Sequence, residues 1–326
     1  MRLMSYASGA RCLAFTLAIS FTGWAFAQQD YPTRPIRYIV PYAPGGSTTV
    51  TARLVGQRLT EAWGQQVLID NRGGANTMIG TEAAVRAKPD GYTLVYIGSV
   101  LASNHILLKP PYDAMKDIAP IATICNYENL LAVHPSVPVK TLKELIALAK
   151  ARPGELNYAT SSHGGSTHLA VALLNMTAGI KTTQIPYKGG GPAVADLVGG
   201  QVHFIMAVPV NIVSHVKNGR LRAIAITGDS RMSARPDVPT FTEAGMPGIA
   251  LQTWHGVGAP AGTPKVIIDR ISAEVAKLVT MPDTREKLDA QGFVPFYNTP
   301  ERTAAILKSE FVKYAKIISA ANIKSE

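Results

Sequence analysis

The tetrapeptide Gly-Gly-Ser-Thr occurs at residues 45–48, in "PYAPGGSTTVTARL", and again at residues 164–167, in "NYATSSHGGSTHLAVALL". Each copy follows a short apolar run and precedes an amphipathic one, so each reads as a corner between a strand and a helix. Glycines at such a corner let the backbone turn sharply and leave N–H groups bare. The first N–H groups of a helix have no partner inside it. They carry the positive end of the helix dipole, equivalent to about half an elementary charge. With Ser and Thr hydroxyls beside them they form an anion site that needs no Lys or Arg. In open α/β sheets such corners lie at the carboxyl ends of strands, where ligands bind. One corner on each of two facing domains can hold an acidic ligand from both sides. The competing reading is that both are ordinary helix caps.

The candidate contacts on the first domain are Tyr42, Ser47, Thr48 and Thr49. Asn76, in "RGGANTMIG", stands at a neighbouring helix start, and Ser99 ends a strand. On the second domain the candidates are Ser161, Ser162, Ser166, Thr167 and His168, with Tyr187 and Gly189 to Gly191 beside them. Other chemistry finds little support. The chain has no G-x-x-x-x-G-K-[ST] and no G-x-S-x-G, and Gly256-Val257-Gly258 lacks the third glycine of a dinucleotide fingerprint. The adjacency of Ser162 and His163 carries little weight as a catalytic pair. His163 and His168 miss the i, i+4 spacing of a helical metal site, and His105, His134, His203, His215 and His255 are scattered. No catalytic residue, metal or cofactor is expected.

The N-terminus reads as a secretory signal peptide over residues 1–27. Arg2 and Arg11 are its only charges, an apolar stretch from Cys12 to Phe26 follows, and Ala25-Phe26-Ala27 supplies the small residues of a cleavage site after Ala27. A membrane anchor fits less well, because Ser20, Thr22 and Gly23 interrupt the run. Export to the periplasm is expected. Removing that segment leaves Cys125 alone, so no internal disulfide forms, and its apolar surroundings mark it as a buried small residue. The chain of 326 residues is long enough for two domains with their own cores. Its net charge is +10, but the Lys and Arg stand singly, without basic blocks or interleaved aromatics. That argues against nucleic acid and leaves room for an anionic small molecule.

Apolar β-branched runs alternate with helical patterns almost throughout, the signature of an α/β protein with parallel strands. Thr141 and Glu144 form a capping box before "LKELIALAKA". From about Leu251 the segment "WHGVGAPAGTP" reads as a Gly/Pro-rich crossing, followed only by helices. Two domains follow, the first over 28–130 and 251–326, the second over 131–250, with crossovers near 128–132 and 248–254. A plain tandem of two domains with a helical tail is the alternative.

The segments "YPTRPIRYIVPYAPGGSTTVTARL", "DNRGGANTMIGTEAAVRAKPDGYTL", "AVHPSVPVKTLKELIALAKARPGELNYATSSHGGSTHLA", "IPYKGGGPAVADLVGGQV", "LRAIAITGDSR", "DVPTFTEAG" and "APAGTP", in that order, resemble the exported solute-binding proteins of tripartite tricarboxylate transporters, the Bug-type receptors. The resemblance implies a type II Venus-flytrap fold, each domain a mostly parallel sheet flanked by helices, with two crossovers and no catalysis. It implies a carboxylate ligand gripped by the loops 42–49 and 161–168, and a membrane permease of one large and one small subunit as partner. The receptor is expected to be a monomer. The family pattern PGG-x-x-D has Thr49 here in place of Asp, which points to an organic acid without an amino group, unless the position only shapes the loop. Delivery to a membrane sensor kinase, or an exported hydrolase, are the other classes.

Overall fold

The structure is a computed structural model, which describes residues 31–232, 235–249, 253–320 and 323. The signal peptide over 1–27, its cleavage after Ala27 and Cys12 lie outside the described residues.

The body from Arg34 onward is built on two sheets. The strand "IRYIV" forms β1 (Ile36–Val40), whose Tyr38, Ile39 and Val40 are fully buried. It is covered on both faces, and it pairs in parallel with β2 (Val67–Asn71) on one side and β3 (Thr93–Gly98) on the other. The helix α1 (Ser47–Trp63) connects β1 to β2, and Gly64, at φ 67°, closes it in the left-handed conformation. The helix α2 (Met78–Val85) precedes β3, and α3 (Val100–Leu108) follows it. The long β4 (Ile118–Tyr127) then carries the chain to the second sheet.

That sheet opens with β5 (Leu130–Val133) and continues through α4 (Leu142–Ala151), β6 (Asn157–Thr160), α5 (Ser166–Ala178), β7 (Thr183–Pro186), α6 (Gly190–Val198), β8 (Phe204–Ala207), α7 (Pro209–Lys217) and β9 (Arg222–Ile226). The capping box of α4 forms as expected: Thr141 Oγ1 accepts from the Glu144 N–H at 3.2 Å. The chain then returns to the first sheet in β10 (Thr253–Pro260), α8 (Lys265–Thr280), α9 (Pro282–Asp289), β11 (Phe293–Asn298) and α10 (Pro300–Ala320). The strand orders are β11-β4-β10-β3-β1-β2 and β7-β6-β8-β5-β9.

Both sheets are mixed. Parallel ladders join β2-β1-β3 and β7-β6-β8, while β4, β5, β9, β10 and β11 pair antiparallel. Among the described residues, β5 and β10, by which the chain enters each sheet from the other, follow a strand with no helix between, and so lack the crossover that would turn them parallel. The two connections run together: the Asn129 N–H donates to Thr227 Oγ1, and the Thr227 N–H donates back to the Asn129 carbonyl, each at 2.9 Å.

Two sequence expectations change. The Gly/Pro-rich segment around residue 256 is a central strand, not a crossing loop, and every residue of β10 is buried. Its glycines serve close packing. A Cβ on Gly256 would stand 2.7 Å from the Ala122 carbonyl oxygen and 2.8 Å from the Trp254 ring. The region after it is also not purely helical. The strand β11 pairs with β4 at the sheet edge, where Pro295 costs no interior ladder bond.

The helix α1, which carries the first Gly-Gly-Ser-Thr corner, is tied to α8 by an ion pair. Arg58 Nη2 lies 2.6 Å from Glu274 Oε2, with the side chains 22% and 10% exposed, and Lys277 Nζ lies 2.7 Å from Glu274 Oε1. Burial raises the Glu274 carboxyl, but Lys277 and Arg58 outweigh it and leave it below the usual range. Its folded value is therefore the depressed one, so the contribution is present at neutral pH and is lost as acid protonates the carboxyl. Glu274→Gln should lower stability by about 1–3 kcal/mol at pH 7, read from the urea midpoint. The gap between variant and wild type should shrink below about pH 4.

Candidate functional site

The two Gly-Gly-Ser-Thr copies fold alike. Gly45 and Gly164 both take positive φ, 88° and 66°. Gly46 and Gly165 follow in extended conformation, at φ −89°, ψ 171° and φ −67°, ψ 169°, as the N-cap residues of α1 and α5. The left-handed glycine turns the chain out of the strand end, the extended one aims it into the helix, and Ser and Thr open the first turn. A side chain at Gly164 would also collide with Leu107.

The corners face each other across one cavity. Its lining includes Tyr42, Ser47, Thr48 and Ser99 from the first sheet's side, and Ser161, Ser162, Ser166 and Thr167 from the second. Two more strand–helix junctions join them, through Gly190 at the start of α6 and Val208 and Asn211 at the start of α7. With Ser99 and Val100 at the start of α3, five helices turn their N-termini to one cavity. None of the five has a side chain bonded across its N-terminus. By contrast α4, capped by Thr141, does not border the cavity. Among the described residues, no Asp, Glu, Lys or Arg lines it. Such a lining offers donors and positive dipole ends with no compensating side-chain charge, which is the chemistry of a site for a small anion.

Eight of the twelve candidate residues thus come together. Thr49 does not line the cavity. It is 2% exposed, and its Oγ1 accepts from Asn71 Nδ2 at 2.9 Å, while the same amide donates to the Tyr42 carbonyl at 3.0 Å. It braces the loop from beneath. Asn76 and Tyr187 border a neighbouring cavity that shares Tyr42, Ser161 and Ser162 with the first. Asn76, with φ 50° between Ala75 at 42° and Thr77 at 76°, donates through Nδ2 to Asn104 Oδ1 at 2.7 Å and to the His163 carbonyl at 2.5 Å. The Tyr187 hydroxyl donates to Asp196 Oδ2 at 2.6 Å, and burial, with Asp196 beside it, pushes that phenol up to about 12. His168 stands behind the second corner, where its Nδ1 accepts from the Gly164 N–H at 2.9 Å.

Sequence reasoning missed Tyr96, Tyr127, Asn211, Thr253 and His255, together with the apolar wall Ile205–Val208. Asn211 carried a signal: "VHFIMAVPVN" has the same strand-to-helix pattern as the corners, with Pro209 as the first helical residue. Tyr127, Thr253 and His255 reach the cavity only through the antiparallel pairing of β4 with β10, which the misread segment concealed. Burial and its T-shaped contacts with Tyr96 and Tyr127 place His255 deep in the wall.

The sequence matches the family described as tripartite tricarboxylate transporter family receptor over residues 51–323. BugT of Bordetella pertussis is 35% identical over 297 residues, covering 90% of this chain and 91% of its own. A Rhodopseudomonas palustris protein solved with adipate is 32% identical and superposes with a TM-score of 0.89, over 91% of this chain and all of the other (100%). MatC of the same organism, solved with bound malate, is 30% identical with a TM-score of 0.84, over 88% and 100% of the two chains.

Two outcomes test the corners' construction. Thr49→Val leaves one Asn71 amide hydrogen without an acceptor, while the other stays on the Tyr42 carbonyl, and should cost about 1–2 kcal/mol, whereas Thr49→Asp keeps an acceptor and should cost less, both read from urea unfolding. His168 is held down to about 4 by burial and then by His163. The unfolded chain takes up that proton first, near pH 6.5, so the contribution is full above that value and falls toward about pH 4. His168→Gln should flatten part of the stability loss over this interval.

Proposed function

The chain belongs to the tripartite tricarboxylate transporter receptor family, and from that premise we propose that it captures a small carboxylate between its two lobes and delivers it to a transporter of that type. The lobes are residues 28–130 with 251–326, and residues 131–250. The receptor works in the periplasm as a monomer, after loss of residues 1–27. Its partner is a permease of one large and one small subunit.

The observation that carries this reading is the convergence of five uncapped helix N-termini on a cavity without charged side chains. A carboxylate accepts from the N–H groups of the first turns of α1 and α5, and from the hydroxyls of Ser47, Thr48, Ser166 and Thr167. Each such bond to an ionised group is worth about 1.5–3 kcal/mol. Several together reach the ~8 kcal/mol of a micromolar ligand after the costs of association. Ligand contacts made from both sides at once exist only with the lobes closed, so binding shifts the population toward the closed form. Closure also excludes water, which strengthens each dipole–carboxylate contact. Among the described residues the lining has no carboxylate to balance an ammonium, so the favoured ligand is an organic acid without an amino group.

A thermal-shift panel of mono- and dicarboxylates, aliphatic and aromatic, tests this. A ligand at a hundredfold over its Kd adds about 2.7 kcal/mol of stability. Ser166→Ala and Thr167→Ala should each weaken binding by roughly tenfold without lowering the melting temperature of the free protein. A panel in which only α-amino acids respond, or in which the two variants respond like the wild type, sinks the reading.

A further inference from the structure

The cavity wall also holds polar rings that belong to no helix corner, and one of them is an imidazole. His255, in β10, is 1% exposed. Three rings fix its plane, with centroids at 5.1 Å for Tyr96, 4.7 Å for Tyr127 and 5.5 Å for Phe293. Its Nδ1 lies 3.1 Å from Thr51 Oγ1, and its Nε2 is buried with no hydrogen-bond partner. Burial holds the ring neutral, pushed down to about 3, and a neutral imidazole carries a single N–H.

Thr51 decides which nitrogen carries it. The Thr51 hydroxyl has one hydrogen and lies 3.1 Å from the Thr48 carbonyl oxygen and 3.4 Å from that of Ser47. Carbonyls only accept, and a helical threonine donates back to them. The hydroxyl oxygen is left to accept from His255 Nδ1–H. The ring proton is therefore on Nδ1, and Nε2 presents a lone pair. The remainder of the polar lining is rich in donors, and a carboxylate has none to give. Nε2 is the wrong partner for the carboxylate and the right one for a neutral donor beside it.

We propose that His255 Nε2 accepts a hydrogen bond from a hydroxyl group of the bound acid, so that the receptor selects hydroxycarboxylates over their deoxy counterparts. This rests on the carboxylate reading above and adds a second polar group to the ligand. A deoxy ligand leaves the ring nitrogen dry and unpaired, which is how a site built around a hydroxyl rejects the analogue that lacks it. An amine is a poorer donor here, because its charge meets no acid in the wall.

Isothermal titration calorimetry of the mature chain with matched pairs tests the assignment: malate with succinate, mandelate with phenylacetate, lactate with propionate, and aspartate as the amine. The hydroxy member of a responding pair should bind roughly tenfold tighter or more. In His255→Phe the ratio should fall to near one, and His255→Gln, whose amide oxygen accepts, should restore part of it. Nitrogen NMR of the ring in the free protein should find Nε2 unprotonated, a readout that needs neither a ligand nor a variant. A proton on Nε2, equal affinities within every responding pair, a preference that survives His255→Phe, or aspartate binding above malate each overturns it. Binding without a hydroxyl preference sinks only this proposal. No binding by any acid sinks the carboxylate reading and this proposal together.

Discussion

A buried anion must meet hydrogen-bond donors, because stripping a carboxylate of water without replacing its partners is prohibitively costly. In the proposed function this protein meets the requirement with backbone. Among the described residues the central cavity has no Lys or Arg in its lining, and its positive potential comes from the free first turns of α1, α3, α5, α6 and α7. Everything else in the fold follows from having to aim those turns at one point. Parallel strands do so, since each ends at the same edge of its sheet and hands the chain to a helix that starts there. The two Gly-Gly-Ser-Thr copies are one backbone solution used on each side, with a left-handed glycine and then an extended one.

Backbone donors are only as well placed as the loops that carry them, so the corners are braced from behind. Asn71, at the end of β2, holds the first through the Tyr42 carbonyl and Thr49. His168 holds the second through the Gly164 N–H, and it needs a bare Nδ1 to do so. Thr51 links α1 to the ring of His255 in β10. His168, Thr51 and His255 are buried, and Asn71 is half-buried. They supply the rigidity that preorganised donors require.

The sequence made legible whatever is local. The strand–glycine–helix corners, the α4 capping box and the alternation of strand and helix as far as β9 rest on residues near one another in the chain, and all appear as read. What was hidden depends on pairing between distant segments. Gly256 and Gly258 look like loop residues, yet they are small because Ala122, Ile97 and the Trp254 ring crowd β10. Reading them as loop removed β10 from the sheet, and with it Thr253 and His255 from the site. Thr49 was misplaced for a related reason. It sits beside Thr48 in sequence, but successive helical residues point about 100° apart, so Thr48 faces the cavity and Thr49 faces Asn71.

A dipole-lined cavity also suits a protein that has to let its ligand go. A lysine or arginine in the wall would attract the anion at longer range, but in the empty site it would remain a buried cation in need of a partner. Uncapped N–H groups and hydroxyls carry no net charge, so water satisfies them when the lobes part. The attraction is strong only when both corners engage one carboxylate in a closed, dry cavity, and it weakens as soon as water enters. Affinity is thereby tied to closure. Under the proposed function, opening the lobes is then sufficient to release the ligand, with no charge to neutralise and no proton to move in the cavity wall, where burial already holds His255 neutral.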